Sequence, residues 1–195
     1  MVYLNDHIEE LNVSEALQKV SAQRAEYALR YRQMHDQQLS LAVYMLLIEG
    51  LEREYGIKGM PEFIYGSHGK PEIKGHSDIH FNMSHCKRTA LCVIDDVPIG
   101  CDVESVPKDL DMDVCRYCFN EDEITEILGS AYPTLAFTTL WTKKEAFLKL
   151  TGEGLTNDLP ILLCSAQAQE VTFQTHIASD KSYVYSICRW IEADY

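Results

Sequence analysis

The chain has 195 residues, of which 46% are apolar and 24% are charged, and its formal net charge is −13. This length and composition suit one large globular domain or two small halves. The acidic balance argues against nucleic-acid binding, which relies on basic patches, and no apolar run approaches the roughly 18 residues of a membrane span. The acidic N-terminus does not resemble a secretory signal, so we expect a cytoplasmic protein with no nucleic-acid or membrane partner.

Helical periodicity dominates the first part of the chain. Ser14 is predicted to cap a helix in which apolar and aromatic residues recur at helical spacing over Leu17–Tyr31. A second helix is predicted over Asp36–Tyr55, and Gly56 should end it. The Gly- and Pro-containing stretch Gly66–Pro71 predicts a loop.

Short apolar and β-branched runs predict strands over Ile79–Met83, Thr89–Ile94 and Ile99–Val103. Helical signals then return. Asn120 can cap a helix that has Glu123 in the capping-box position.

A long helix is predicted over Thr134–Leu150, with Gly152 after it, and the tail Ile161–Trp190 is predicted to form three strands. Helices followed by strands, twice over, predict an α+β fold of two similar halves.

Two carboxylates follow each other on the predicted strand that begins at Ile99. Asp102 and Glu104 are two positions apart, so both should point to the same face of a strand. Adjacent carboxylates repel unless positive charge lies between them, and Mg²⁺ prefers oxygen ligands. The pair is also compatible with the polar outer face of an edge strand.

The second candidate group lies on the long helix. Trp141, Glu145 and Lys149 fall on one stripe at 3.6 residues per turn. By itself this spacing is more typical of an exposed Glu–Lys pair on a helix surface.

Seven cysteines are scattered along the chain, and Cys115 and Cys118 form a single C-x-x-C pair. A structural zinc site needs two further ligands at matching spacing. We therefore interpret the cysteines as buried free thiols.

Four motifs occur in the order found in one enzyme family. The strand Gly100–Glu104 has the pattern G-x-D-x-E, and the helix from Trp141 carries a Lys-Glu pair and a further lysine. Phe81–His85 reads F-N-x-S-H, and Gly69–Pro71 reads G-K-P. Together they resemble the 4′-phosphopantetheinyl transferase superfamily, in particular its larger, pseudo-dimeric members, which activate nonribosomal peptide synthetases.

This resemblance implies halves at 1–98, mainly for coenzyme A binding, and 99–195, carrying the metal and catalytic residues, with the active site in the cleft between them. Asp102, Glu104 and Glu145 would hold Mg²⁺ with the coenzyme A pyrophosphate. Lys149 would neutralise pyrophosphate charge, and Glu145, directly or through water, would deprotonate the attacking serine.

The resemblance also implies contacts to the rest of coenzyme A. Ser84 and His85 would contact its phosphates, and Gly69, Lys70 and Pro71 would receive the adenine. The family places a basic residue for the 3′-phosphate where this chain has Leu39. Of the upstream arginines Arg24, Arg30 and Arg32, we expect Arg30 or Arg32 to replace it.

The implied reaction moves the phosphopantetheine arm of coenzyme A to a serine of an apo acyl or peptidyl carrier protein. A pseudo-dimer needs no partner, so we expect a monomer. Because such carriers are acidic, recognition should rest on short-range contacts, including local basic groups such as Lys143 and Lys144, although these two lysines are equally compatible with a solvated helix surface. Two alternatives stay open: a catalytically weak coenzyme A-binding homologue and a metal-dependent phosphohydrolase.

Overall fold

The computed structural model describes residues 1–66, 69–154 and 158–191. The chain divides into two compact units, Met1–Val97 and Pro98–Tyr195. Helices and antiparallel sheets make up both units, which confirms the predicted α+β class. The internal symmetry of the halves, their separate roles and a shared active site stay predictions.

The first unit contains three helices and five strands within the described residues. In chain order they are β1 (Val2–Asn5), α1 (Val13–Lys19), α2 (Ala22–Leu29), α3 (Met34–Tyr55), β2 (Phe63–Tyr65), β3 (Pro71–Ile73), β4 (His80–His85) and β5 (Ala90–Asp95). The second unit contains β6 (Ile99–Ser105), α4 (Met112–Cys118), α5 (Glu121–Gly129), α6 (Pro133–Thr151), β7 (Val171–Ile177) and β8 (Tyr183–Trp190).

An antiparallel sheet of order β1-β5-β4 forms the base of the first unit, and α3 packs against it. Leu47 and Leu51 of α3 and Ile94 of β5 are fully buried in this core. Gly56 ends α3 in the left-handed region at φ +68°, as the sequence predicted.

The helix predicted over Leu17–Tyr31 is two helices, α1 and α2. The predicted cap at Ser14 is wrong, because the Asn12 side chain accepts the backbone N–H of Glu15. Ser21 likewise accepts from the N–H of Arg24 and starts α2. Short polar side chains that satisfy exposed N–H groups favour a helix start at each position, which divides one periodic segment into two helices.

The predicted loop at Gly66–Pro71 joins the antiparallel hairpin of β2 and β3. Its ends are tied by the Gly66 N–H, which donates to the Lys70 carbonyl. Gly69 has φ +79°, a conformation that glycine adopts without strain. Ser67 and His68 lie outside the described residues.

The second unit is built on an antiparallel sheet of order β6-β8-β7, on which α6 packs. The prediction of three strands in the tail is wrong for the described residues. Only β7 and β8 form there, while Leu159–Cys164 and Gln167–Glu170 are 3₁₀ turns. Leu159 and Leu162 are nevertheless buried in the core, so their apolar character reflects burial and not strand structure.

Helix α6 ends at Gly152, at φ +75°, as predicted, and its core side contains Phe147 and Leu148, which are both buried. Within the described parts of the chain, we find no helix that is both long and apolar enough to cross a bilayer.

Gly100 of β6 allows the backbone of α6 to approach very closely. A Cβ atom at this position would lie 2.0 Å from the Ala146 carbonyl oxygen and 2.4 Å from the Leu150 nitrogen. Both neighbours are backbone atoms, which cannot move aside without moving the helix. A glycine is therefore required where α6 crosses β6.

We predict that Gly100→Ala lowers the free energy of unfolding by about 2–3 kcal/mol, because the added methyl overpacks a backbone contact. The matched control is Gly129→Ala at the end of α5, where a Cβ would meet no atom within 4 Å. That variant should be neutral or more stable by up to about 1 kcal/mol. Urea unfolding of the two variants beside the wild type checks this, and equal stabilities would contradict it.

Candidate active site

The carboxylates of β6 lie beneath α6. Gly100, Asp102 and Glu104 alternate onto the helix-facing side of the strand. Asp102 is only 3% exposed, and its Oδ1 accepts a hydrogen bond from Lys149 Nζ of α6 at 2.6 Å. The Lys149 side chain keeps 29% of its surface exposed, so the ion pair reaches from the core to solvent.

Negative charge is concentrated around this ion pair. Burial, and next the Asp102 carboxylate, raise the pKa of Glu104 to about 7, while Lys149 and a hydrogen bond from the Trp141 indole oppose the rise. Burial and Asp102 also raise the pKa of Glu145. Three half-buried or buried carboxylates thus influence one another, with one lysine among them.

The pKa of Lys149 reflects the same competition between burial and neighbouring charge. Its burial lowers the pKa, but the charge of Asp102 and the hydrogen bond to it outweigh burial, so the pKa is raised. Lys149 is therefore held as a cation within the acidic group.

The donor chemistry of this group suits a hard cation, because all three acidic side chains offer carboxylate oxygens. Among residues 1–66, 69–154 and 158–191, however, no three His, Cys, Asp or Glu side chains are gathered closely enough to hold a metal ion. The lysine ammonium is the positive charge that contacts Asp102 in this structure.

The first unit contains a separate cleft of about 300 Å³. Ser84 and His85 at the end of β4 line it together with Leu39 and Ser40 of α3 and Arg24 of α2. The structure thus brings together the F-N-x-S-H motif, the departure at Leu39 and one arginine.

Arg24 is held firmly in this cleft. Its guanidinium carbon lies 4.8 Å from the ring centroid of Tyr27 and 4.2 Å from that of Tyr44, and an Nη donates to Ser40. Its Nε–H is buried without a hydrogen-bond partner among the described residues.

The two arginines favoured by the sequence lie elsewhere. Arg30 is exposed and paired with Glu26 on its own helix, and Arg32 is exposed just after α2. Neither is among the described residues that line the cleft. The sequence could have indicated Arg24, because helical spacing places it about one turn before Tyr27.

Gly69 and Lys70 lie in the loop of the β2–β3 hairpin, and Pro71 is the first residue of β3. The backbone of this loop is shaped by the hydrogen bonds of Gly66 with Gly69 and Lys70.

The prediction that Lys144 is a surface group for short-range contacts is wrong. Its side chain has no exposed surface, and its Nζ donates to Glu123 Oε2 at 2.7 Å and to two backbone carbonyls. Burial lowers its pKa, and Glu123 opposes that change. Lys143, in contrast, is partly exposed on α6.

The second unit thus combines a glycine-mediated strand–helix contact with a buried carboxylate–lysine group. Residues 98–190 match the 4′-phosphopantetheinyl transferase superfamily. The matched region includes Gly100, Asp102, Glu104, Glu145 and Lys149. The second unit of the chain thus matches this superfamily, which confirms the resemblance seen in its motifs.

Individual relatives of the chain are also named 4′-phosphopantetheinyl transferases. A 4′-phosphopantetheinyl transferase of Bacillus subtilis is 34% identical over 140 residues, which are 70% of this chain and 62% of the relative. The transferase Sfp of Bacillus subtilis strain 168 is 31% identical over 70% of this chain and 62% of its own length. The transferase ffp of Bacillus subtilis is 26% identical over 87% of this chain and 75% of its own. The chain thus spans about three fifths of the length of the first two relatives.

We predict that Glu104→Gln makes the metal-free protein more stable at pH 8 by about 1 kcal/mol, allowing for solvent screening. Since the folded-state pKa is raised to about 7, ionising Glu104 above that pH destabilises the fold. The advantage of the variant should shrink as the pH falls from 7 towards 4.5. Urea unfolding in chelator checks this, with Glu126→Gln on the exposed side of α5 as the control. A less stable Glu104→Gln protein at pH 8 would count against the crowding of these carboxylates.

Proposed function

We propose that this protein transfers the 4′-phosphopantetheine group of coenzyme A to a serine of an apo acyl or peptidyl carrier protein. The observation that carries the proposal is the group of Asp102, Glu104, Glu145 and Lys149 within the region that matches the transferase superfamily. The reaction releases adenosine 3′,5′-bisphosphate.

The transfer is a displacement at phosphorus. The serine oxygen bonds to the β-phosphorus as the bond to the bridging pyrophosphate oxygen breaks, and the electron pair leaves with the bisphosphate. Glu145 accepts the serine proton, directly or through water, and burial and Asp102 raise its pKa, which is the direction that makes a carboxylate a stronger base. Lys149, held as a cation, offsets negative charge on the pyrophosphate.

Asp102, Glu104 and Glu145 are the residues proposed to hold Mg²⁺, and binding would have to draw their carboxylates closer together than they lie in this structure. Bound there, the ion would supply positive charge for the pyrophosphate, in keeping with its preference for oxygen ligands shared with phosphates. The ion pair of Lys149 with Asp102 supports the proposal only in part, because it places positive charge against one of these carboxylates.

For the 3′-phosphate of coenzyme A, the geometry favours Arg24 over the arginines that the sequence suggested. Arg24 lines the cleft with Ser84 and His85, and its buried Nε–H donates no hydrogen bond to the described residues. Arg30 and Arg32 remain the competing assignment. The hairpin residues Gly69, Lys70 and Pro71 are proposed to receive the adenine.

The other proposals follow the family: a cytoplasmic monomer of the larger, pseudo-dimeric type that activates nonribosomal peptide synthetases. The test of the function is incubation with coenzyme A, Mg²⁺ and an apo carrier protein, followed by intact mass measurement of the carrier. A mass gain of one phosphopantetheine group supports the transferase. Binding of coenzyme A without any gain would favour a weak homologue, and cleavage of coenzyme A with no carrier present would favour a phosphohydrolase.

We predict that Asp102→Ala, Glu104→Ala and Glu145→Ala each lower the transfer rate at least about a hundredfold, the scale of losing a key electrostatic group. Rates are measured at saturating Mg²⁺ with Glu126→Ala as the control, since that side chain is exposed on α5. Any of the three that keeps near-wild-type turnover is not a ligand or base.

We predict that Arg24→Gln weakens coenzyme A binding by about 1.5–3 kcal/mol, as expected for a lost charged hydrogen bond. Binding of 3′-dephospho-coenzyme A should weaken far less, because it lacks the phosphate. Calorimetry with both ligands checks this, and Arg30→Gln and Arg32→Gln serve as matched variants. A selective loss in either of those, and not in Arg24→Gln, would restore the sequence-based assignment.

A further inference from the structure

The buried ammonium of Lys144 has no role in the proposed chemistry. Its three N–H groups are all satisfied, by the Cys118 carbonyl at 2.9 Å, Glu123 Oε2 at 2.7 Å and the Leu159 carbonyl at 2.6 Å. Its Nζ also lies 4.7 Å from the ring centroid of Phe119. A charge that is removed from water so completely needs this full set of partners.

The three acceptors come from three different segments: the end of α4, the first turn of α5 and the 3₁₀ turn that starts at Leu159. Those segments are also fixed to one another. Glu123 forms a capping box with Asn120, whose Nδ2 donates to the Pro160 carbonyl. Lys144 therefore connects α6 to a rigid polar frame.

This connection matters because the contact between α6 and the sheet at Gly100 lacks interlocking side chains. There the strand has no side chain, and the facing helix residue is Ala146. Apolar packing is non-directional, so it constrains the position of the helix along its axis less sharply than hydrogen bonds do. Hydrogen bonds are directional. The α6 side chains nearest to Glu145 in sequence that form such hydrogen bonds are Thr142, which pairs with Ser186 of β8, and Lys144 on the other side of the helix.

We propose that Lys144 is a positioning residue for Glu145: its three hydrogen bonds fix the axial position of α6 and so the location of the neighbouring carboxylate relative to Asp102. The proposal rests on the proposed function of Glu145 and deepens it. Lys144 acts through geometry, because the charges that act most on Glu145 are those of Asp102 and Lys149.

The test uses two variants of the full chain. Lys144→Met keeps the length of the apolar stem but leaves the Glu123 carboxylate buried without its cation, so its melting temperature should fall by about 10 °C. Lys144→Met combined with Glu123→Gln removes both charges and should recover most of that loss. Lys108→Met, an exposed lysine of the same unit, controls for net charge.

Transfer is then measured at a temperature at which every variant is folded. We expect the double variant to keep its KM for coenzyme A within about threefold while kcat falls at least about tenfold, since a displacement near 1 Å can lower rates a hundredfold. Recovery of kcat together with stability would overturn the proposal and leave Lys144 a structural residue. A double variant that does not fold would overturn it as well.

Hydrogen exchange gives a readout that does not depend on activity. Amides of residues 141–150 should exchange at least about tenfold faster in the double variant, while those of β8 keep their wild-type protection. Unchanged protection of α6 would overturn the proposal. If the wild-type chain transfers nothing, the proposed function fails on that observation alone, and the exchange pattern still decides whether Lys144 fixes α6.

Discussion

The close approach of α6 to β6 at Gly100 is the constraint on which the candidate site depends. Because the backbones meet there without a side chain between them, the next helix-facing residues of the strand lie within reach of the helix side chains. Asp102 can therefore accept from Lys149 at 2.6 Å while remaining almost completely buried. A larger residue at position 100 would separate the partners and leave a carboxylate buried without its cation.

Helix α6 contributes the lysines of two ion pairs, Lys144–Glu123 and Lys149–Asp102, which differ in their access to solvent. The Lys144 side chain has no exposed surface and its ammonium has a full set of partners, while Glu123 keeps only 12% of its side chain exposed, which suits a fixed structural connection. Lys149 and Asp102 reach the surface beside Glu104 and Glu145, so the charge there can be shared with an incoming ligand. In the proposed roles, the same residue types serve support in one pair and chemistry in the other, and the exposure of the lysine distinguishes the two.

The cleft of the first unit combines an arginine with aromatic walls. Stacking on Tyr27 and Tyr44 and hydrogen bonds to Ser40 hold the Arg24 guanidinium in place before any ligand binds. A fixed cation loses less side-chain entropy on binding than an exposed lysine or arginine would. This arrangement offers a physical reason why a leucine at position 39 is compatible with phosphate binding.

The α+β class, the span of α6, the capping box at Asn120 and the family resemblance could be predicted from the sequence, because period, caps and motif residues are local features. The motifs also named Asp102, Glu104, Glu145 and Lys149 as one group. The division of the first helix, the 3₁₀ turns in the tail and the burial of Lys144 were not predicted. These features depend on tertiary packing: Lys143 and Lys144, for example, are adjacent in sequence and differ only in what packs around them. Burial and partners are set by distant segments, and no local pattern records them.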